Sequence, residues 1–134
     1  MILYEDKDII VCHKMAGIAV QSARIGEKDL VSMLNNHLME QAGGNRTEPV
    51  RVVHRLDQPV EGIVVFAKNK KAAASLSAQI TDGSMKKVYQ AVCCVTEAGR
   101  HWIGNAGKND QELIDYMAKD ASTNSSAVVK KGQK

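Results

Sequence analysis

The chain has few of the residues that mark extracellular or metal-binding proteins. Its 134 residues include three cysteines, Cys12, Cys93 and Cys94, and no Cys-x-x-Cys pair. An odd count without that spacing predicts neither a disulfide framework nor a zinc site. We expect the three thiols to be reduced, buried and inert, as is usual in a cytoplasmic protein.

Long apolar runs, aromatic residues and nucleotide-binding loops are also scarce. No run approaches the ~18 apolar residues that suggest a membrane-spanning helix, and the N-terminus lacks a secretory signal pattern. We therefore expect a cytoplasmic protein with no membrane partner. Aromatic residues make up only 4% of the chain, so the core must consist of aliphatic side chains. Neither a phosphate-binding loop nor a dinucleotide fingerprint occurs, so we predict no nucleotide cofactor; without a Cys-x-x-Cys pair we predict no metal.

The remaining composition is that of an ordinary soluble domain. Hydrophobic residues make up 44% and charged residues 25% of the chain, and 134 residues suffice for one compact domain. The net charge of +3 is modest but unevenly placed. Residues 49–90 contain seven Lys or Arg against three Asp or Glu, whereas the rest contains eleven against twelve. A local excess of positive charge suits an anionic partner such as nucleic acid, although solvated surface lysines give the same count.

Periodicity predicts alternating strands and helices. Leu30, Leu34 and Leu38 recur at helical spacing. Helices are predicted over Lys28–Gln41 and Lys70–Ile80. Strands are predicted over Ile2–Glu5, Ile9–Lys14, Ile18–Gln21, Ile63–Ala67 and Lys87–Val95.

One charged segment, Val53 to Gly62, lies directly before the apolar strand Ile63–Ala67. We call it the motif segment. Charges so close to apolar runs are costly unless they are paired. The conservative interpretation of Asp57 is an Asx-type turn in which its carboxylate pairs with Arg55. The functional interpretation is an ionised carboxylate that acts as nucleophile or base.

Two other catalytic arrangements find less support in the same segment. His54 has no serine or cysteine nucleophile in a supporting pattern nearby, so a serine-type triad is not predicted. Asp57 and Glu61 could form the carboxylate pair of a glycosidase, but both lie in one loop. Tyr89, in a predicted strand, is either half-buried structure or a stacking and proton-transfer group.

Three blocks of the sequence closely resemble the RluA-type pseudouridine synthases. They are His54-Arg55-Leu56-Asp57, Gly62 to Asn69 and Lys87 to Val92, in the family's order and spacing. The opening Ile2 to Gly17 is also similar to the start of that family, where a Lys-Pro-Ala-Gly turn is usual. The resemblance covers roughly the first hundred residues, and it is the combination of blocks that is specific.

The resemblance implies an α+β fold, with a mixed, largely antiparallel sheet and packed helices. It also implies cofactor-free isomerisation of uridine to pseudouridine in rRNA or tRNA. By that likeness Asp57 is the nucleophile, and Tyr89 is a candidate for removing the C5 proton after the base is flipped out. His54, Arg55 and the lysines 68, 86 and 87 are the expected RNA-binding residues, and Leu113 to Val129 is expected to be a variable strand pair.

The sequence departs from the family pattern at two places that bear on the expected activity of this chain. Val60-Glu61 stands where the family commonly has Thr-Ser. The family's later Gly-Arg-x-His-Gln-x-Arg motif, whose arginine pairs with the aspartate, does not occur before Lys134. We therefore expect one incomplete catalytic domain without a preceding S4-type domain, inactive or weakly active alone. The alternative is an inactive, truncated relative that still binds RNA; the oligomeric state is left open.

Overall fold

A computed structural model describes residues 1–24, 26–45, 47–92, 94, 97, 115–120, 122–123 and 125–130. The chain divides into two compact units, Met1–Val88 and Tyr89–Lys134. That the whole chain is one incomplete catalytic domain stays a prediction.

The first unit contains a four-stranded sheet and two helices. In chain order the elements are β1 (Ile2–Glu5), β2 (Ile9–Lys14), α1 (Leu30–Gln41), β3 (Arg51–Val52), β4 (Gly62–Ala67) and α2 (Lys70–Thr81). The strand order is β1-β2-β4-β3, and each neighbouring pair is antiparallel. Together with the helices, this arrangement confirms the predicted α+β class with a largely antiparallel sheet.

The core lies between one face of the sheet and α1. Side chains alternate along a strand, so β2 buries Ile10 and Cys12 while β4 buries Val64 and Phe66. The four-residue spacing of leucines places Leu30, Leu34 and Leu38 of α1 in the same cluster. By contrast, α2 contacts β3 and β4 but buries none of its residues.

Polar side chains and glycines set the helix ends. Asp29, the N-cap of α1, accepts hydrogen bonds from the Ser32 amide at 2.7 Å and the Ser22 amide at 2.7 Å. These bonds lower the pKa of Asp29 although its burial raises it. Gly43 and Gly44, with φ of 64° and 84°, end the helix. Because Asp29 caps the helix, α1 begins at Leu30 and not at Lys28 as predicted.

Three sequence predictions are wrong in part. Residues 87–92 are exposed and form no strand, because their alternating pattern finds no partner strand in the described part of the chain. Ile18–Gln21 contributes only an isolated parallel bridge between Ala19 and Asp29. Cys12 is buried as expected, but Cys94 is exposed. Residues 93 and 95, at the end of the predicted strand, lie outside the described residues.

A polar cluster around Glu5 joins β1, α1 and the end of β4. The carboxylate of Glu5 accepts hydrogen bonds from Lys68 Nζ at 2.8 Å and Gln41 Nε2 at 3.4 Å, and lies 2.9 Å from His37 Nε2. The hydrogen bond from Lys68 is the main reason that the pKa of Glu5 lies below its ordinary value. This cluster therefore contributes stability at neutral pH that is lost as the pH falls through the lowered pKa.

The second unit contains the hairpin β5 (Tyr116–Asp120) and β6 (Ser125–Val129). It confirms the expected strand pair over its described residues. Hydrogen bonds from Ser122 and then Thr123 lower the pKa of Asp120 to about 2, so its carboxylate closes the turn. Nowhere in the described ranges does a helix have the length and apolarity needed to span a membrane.

The assignment of the buried core can be tested by substitutions on the two faces of β4. Phe66→Ala should lower the free energy of unfolding by about 3–5 kcal/mol, because Phe66 is fully buried and truncation leaves a cavity. Ile63→Ala, on the other face of β4, is the control. Its side chain is 60% exposed, so the loss should stay below about 1 kcal/mol. Urea denaturation followed by circular dichroism measures both, and equal losses would refute this assignment of the core.

Candidate active site

Asp57 lies in an exposed turn between β3 and β4. The Val60 amide donates to the Asp57 carbonyl at 3.0 Å and closes the turn. Arg55 does not form the ion pair considered from the sequence; its Nη2 donates to Gln21 Oε1 at 3.2 Å. Asp57 and Arg55 are both exposed, so the carboxylate is accessible to a large substrate.

Beside this turn lies a lysine with no solvent exposure. Lys14, the last residue of β2, donates from Nζ to the carbonyls of Met15 at 3.2 Å, Ile18 at 2.7 Å and Gln58 at 3.0 Å. A lysine ammonium has three donors, and all three find acceptors here. Gly17 adds a backbone bond to the Gln58 carbonyl at 2.8 Å. The turn after β2 and the motif segment are therefore fixed to each other.

Burial and two carboxylates act on Lys14 in opposite directions. Removal from water lowers the pKa of Lys14, and the charges of Asp57 and Glu61 raise it by less. Asp57 thus lies within electrostatic reach of a buried cation. Because the ammonium already donates to three carbonyls, it supplies a fixed positive charge beside the carboxylate and is not itself a free base.

His54 marks the point where the chain leaves the sheet. Its Nε2 accepts a hydrogen bond from the Val65 amide of β4 at 3.0 Å, so this nitrogen carries no proton. Burial, and then the charge of Lys87, lower the pKa of His54. The neutral imidazole therefore serves as the hydrogen-bond acceptor that a carbonyl of a neighbouring strand would otherwise supply to the Val65 amide.

Leu56 points inward between the two exposed charges of the motif segment. It packs against the core cluster, and a Cβ on Gly62 would lie 3.0 Å from Leu56 Cδ1. Glycine at position 62 therefore allows the segment to cross closely over the start of β4. With Leu56 anchored inward, Arg55 and Asp57 are directed to solvent.

Glu61, which stands where a hydroxyl is usual in the resembled family, pairs with β2. Its Oε1 lies 2.8 Å from His13 Nε2. Both side chains are partly exposed, 29% for His13 and 53% for Glu61, so this pair adds little stability. The contact with His13 does hold the Glu61 carboxylate against β2, close in sequence to the turn that contains Asp57.

The other predicted site residues lie in different surroundings. Lys86, Lys87 and Tyr89 are exposed, and Tyr89 belongs to the second unit. Lys68 donates to Glu5 Oε1 and to the Asp6 carbonyl, each at 2.8 Å. A groove of about 460 Å³ adjoins the motif segment. Its charged or titratable lining residues are Arg51, His54 and Arg55. Across the described ranges, no group of three His, Cys, Asp or Glu could hold a metal ion.

The sequence analysis did not identify Lys14 as a buried residue of the candidate site, although the residue pattern of β2 indicates it. Alternation along β2 places Ile10, Cys12 and position 14 on one face. A lysine in phase with buried apolar residues predicts a buried cation that needs several acceptors. The Met15 and Ile18 carbonyls are close in sequence, but the Gln58 carbonyl reaches Lys14 through the pairing of β2 with the distant strand β4, which no local pattern specifies.

Comparisons with known proteins identify the family and support the fold. The family model for RNA pseudouridylate synthase matches residues 8–134, and the chain belongs to this family. The structure is similar to that of human RNA pseudouridylate synthase domain containing 4, with a TM-score of 0.50 and 26% identity. That match covers 62% of this chain and 30% of the human chain.

Bacterial relatives are similar over most of the chain. Ribosomal large subunit pseudouridine synthase D of Pseudomonas aeruginosa is 37% identical over 93 residues, which are 68% of this chain and 28% of that protein. tRNA pseudouridine synthase C of Pectobacterium carotovorum is 31% identical over 120 residues, or 90% of this chain and 29% of that protein. The chain thus spans less than a third of the length of these relatives.

The buried ammonium can be tested by an apolar substitution of similar length. Lys14→Met should lower the free energy of unfolding by about 3 kcal/mol, because three backbone carbonyls lose the charged donor that Lys14 supplies. Lys7→Met, in the exposed turn between β1 and β2, is the matched control and should change it by less than about 0.5 kcal/mol. Chemical denaturation measures both variants. A Lys14→Met protein as stable as the control would show that these hydrogen bonds contribute nothing net.

Proposed function

We propose that the protein isomerises uridine to pseudouridine in structured rRNA or tRNA, with Asp57 as the nucleophile. The observation that carries the proposal is the exposed Asp57 carboxylate in a turn whose next residue, Gln58, accepts a hydrogen bond from the buried ammonium of Lys14. Membership of the RNA pseudouridylate synthase family supports it. The names of the Pseudomonas and Pectobacterium relatives support rRNA and tRNA as candidate substrates.

The chemistry suits a carboxylate without a cofactor. Asp57 attacks or stabilises the ribose C1′ as the bond from C1′ to N1 of uracil breaks, as a retaining glycosidase carboxylate does. The detached uracil rotates, and a bond forms between C5 and C1′. Where Asp57 has bonded to C1′, that bond breaks as the new one forms, and the carboxylate is regenerated. Removal of the proton at C5 then restores the aromatic base, with Tyr89 as the candidate acceptor. N1 takes up a proton from water, so the proton lost from C5 is replaced, the composition of the uridine is unchanged and no co-reactant is needed.

Access to the uridine requires that it leave its helix. Arg55 is exposed two residues from Asp57 and is the proposed group that contacts the nucleotide or occupies the vacated space. His54 adjoins the same groove. The lysines 68, 86 and 87 are the proposed phosphate contacts, in keeping with the basic excess of residues 49–90.

Replacement of the proposed nucleophile should abolish turnover. Asp57→Asn removes the charged oxygen without changing the side-chain size, and the rate of tritium release from RNA labelled at C5 of uridine should fall at least about a thousandfold. Single-turnover conditions with protein in excess detect slow reactions. This matters because we expect the isolated chain, less than a third of its relatives' length, to react slowly.

The control for this variant is Glu48→Gln, which removes an exposed carboxylate paired with Arg51. It should react at the parent rate. If Asp57→Asn reacts as fast as this control, Asp57 is not the nucleophile. RNA binding by a parent chain without tritium release would favour the alternative, a relative that binds RNA but does not isomerise it.

The RNA-binding proposal predicts a change in salt dependence. Each phosphate contact removed by Arg55→Ala, Lys86→Ala or Lys87→Ala should lower the slope of log K against log salt by about 1. Lys28 is exposed and lies outside residues 49–90, so Lys28→Ala should leave the slope unchanged. Fluorescence anisotropy with a labelled RNA stem-loop at several salt concentrations measures these slopes. Slopes equal to the control would refute phosphate contacts.

Lys68→Ala separates two roles in the same experiment. Its ammonium already donates to Glu5 and Asp6. A reduced slope would identify a phosphate contact, whereas an unchanged slope with lower stability would restrict Lys68 to the Glu5 cluster.

A further inference from the structure

The hydrogen bond from Val65 to His54 lies where the sheet would otherwise continue. In the ladder between β3 and β4, Arg51 pairs with Ala67 and Val52 with Phe66. The same register would next place Val53 opposite Val65. The Val65 amide donates instead to His54 Nε2, at 3.0 Å. A side chain thus completes the backbone pairing and frees the main chain to turn away from β4.

The residues that follow lie between two anchors. His54 fixes the start of the turn to β4, and the Gln58 carbonyl, bound by Lys14 and Gly17, fixes its end. Only Arg55, Leu56 and Asp57 lie between them. The conformation of Asp57 therefore depends on both anchors, of which the His54 anchor can be broken by protonation of its imidazole in acid.

We propose that His54 is a positioning residue for Asp57, and that protonation of its imidazole releases the motif segment from β4 and suppresses catalysis in acid. This inference deepens the proposed function and rests on it. His54 acts through the main chain and needs no contact with the reacting atoms.

The chemistry of the bond makes it sensitive to protons. A neutral imidazole accepts through its bare nitrogen, whereas an imidazolium has donors on both nitrogens and cannot accept from an amide. Protonation at Nε2 would therefore place two N–H groups against each other and break the contact with Val65.

The charged groups around His54 favour its neutral form. Arg51 from β3 and Arg55 from the motif segment line the same groove, and the described residues of its lining include no carboxylate. Lys87 approaches from the segment after α2, and β4 faces His54 through the Val65 amide. Burial and then Lys87 lower the pKa of His54 from its ordinary 6.5. The stabilisation is thus fully present above pH 6.5 and is lost as the pH falls through the lower folded pKa.

The test compares turnover at pH 7.5 with turnover at a lower pH at which NMR shows His54 protonated and the protein still folded. The parent should lose about fivefold or more in single-turnover tritium release at the lower pH, the size expected for one lost hydrogen bond. In His54→Gln an amide oxygen accepts from Val65 but does not titrate, so the ratio of the two rates should approach one. His37→Gln, in the remote Glu5 cluster, should retain the parent's ratio. The inference is overturned if His54→Gln retains that ratio too, or if the parent's rate does not fall.

A second measurement does not depend on turnover. NMR should show the His54 tautomer with its proton on Nδ1 at pH 7.5, and hydrogen exchange should show Val65 protection falling about fivefold or more when His54 is protonated. In His54→Gln the protection should not vary with pH beyond intrinsic exchange. A parent with these NMR properties but no tritium release at either pH would refute the proposed function alone. A proton on Nε2, or Val65 protection independent of pH, would refute the inference alone.

Discussion

The candidate site depends on how one ammonium is satisfied out of water. Lys14 is fully buried, and a buried charge is tolerated only when its hydrogen-bonding groups are paired. Its three acceptors are carbonyls of the turn after β2 and of the motif segment. Satisfying the charge therefore requires two segments far apart in sequence to adopt one arrangement, and that arrangement presents Asp57.

The motif segment shows how a sheet can present charges at its edge. Leu56 fills the space above Gly62, and this inward anchor leaves its two neighbours, Arg55 and Asp57, in solvent. The imidazole of His54 ends the ladder on one side, and the Gln58 carbonyl fixes the chain on the other. Rigid backbone contacts flank exposed polar side chains, an arrangement that suits a loop that must meet a large ligand.

Local sequence patterns correctly predicted the strands and helices that bury one regularly spaced face. Alternation in β2 and leucine spacing in α1 were sufficient because each buries one regular face. The alternation of Val88, Gln90 and Val92 predicted a strand wrongly, since a strand also needs a neighbour with which to pair. Asp57 was recognisable through the family motif, whereas the contact of Lys14 with the Gln58 carbonyl was not, because long-range pairing brings these two residues together.

The pairing of β2 with β4 also has a kinetic consequence. Ile9 pairs with Ala67 and Lys14 with Gly62, so the intervening chain, including α1, must form a closed loop before this ladder exists. Closure of a long loop costs entropy before its contacts form, and non-local pairing slows folding. The contact order of the site is therefore high, since Lys14 and its acceptor Gln58 are 44 residues apart. Loop-closure entropy grows slowly with length, so insertions in the exposed 43–45 turn should change the folding rate little.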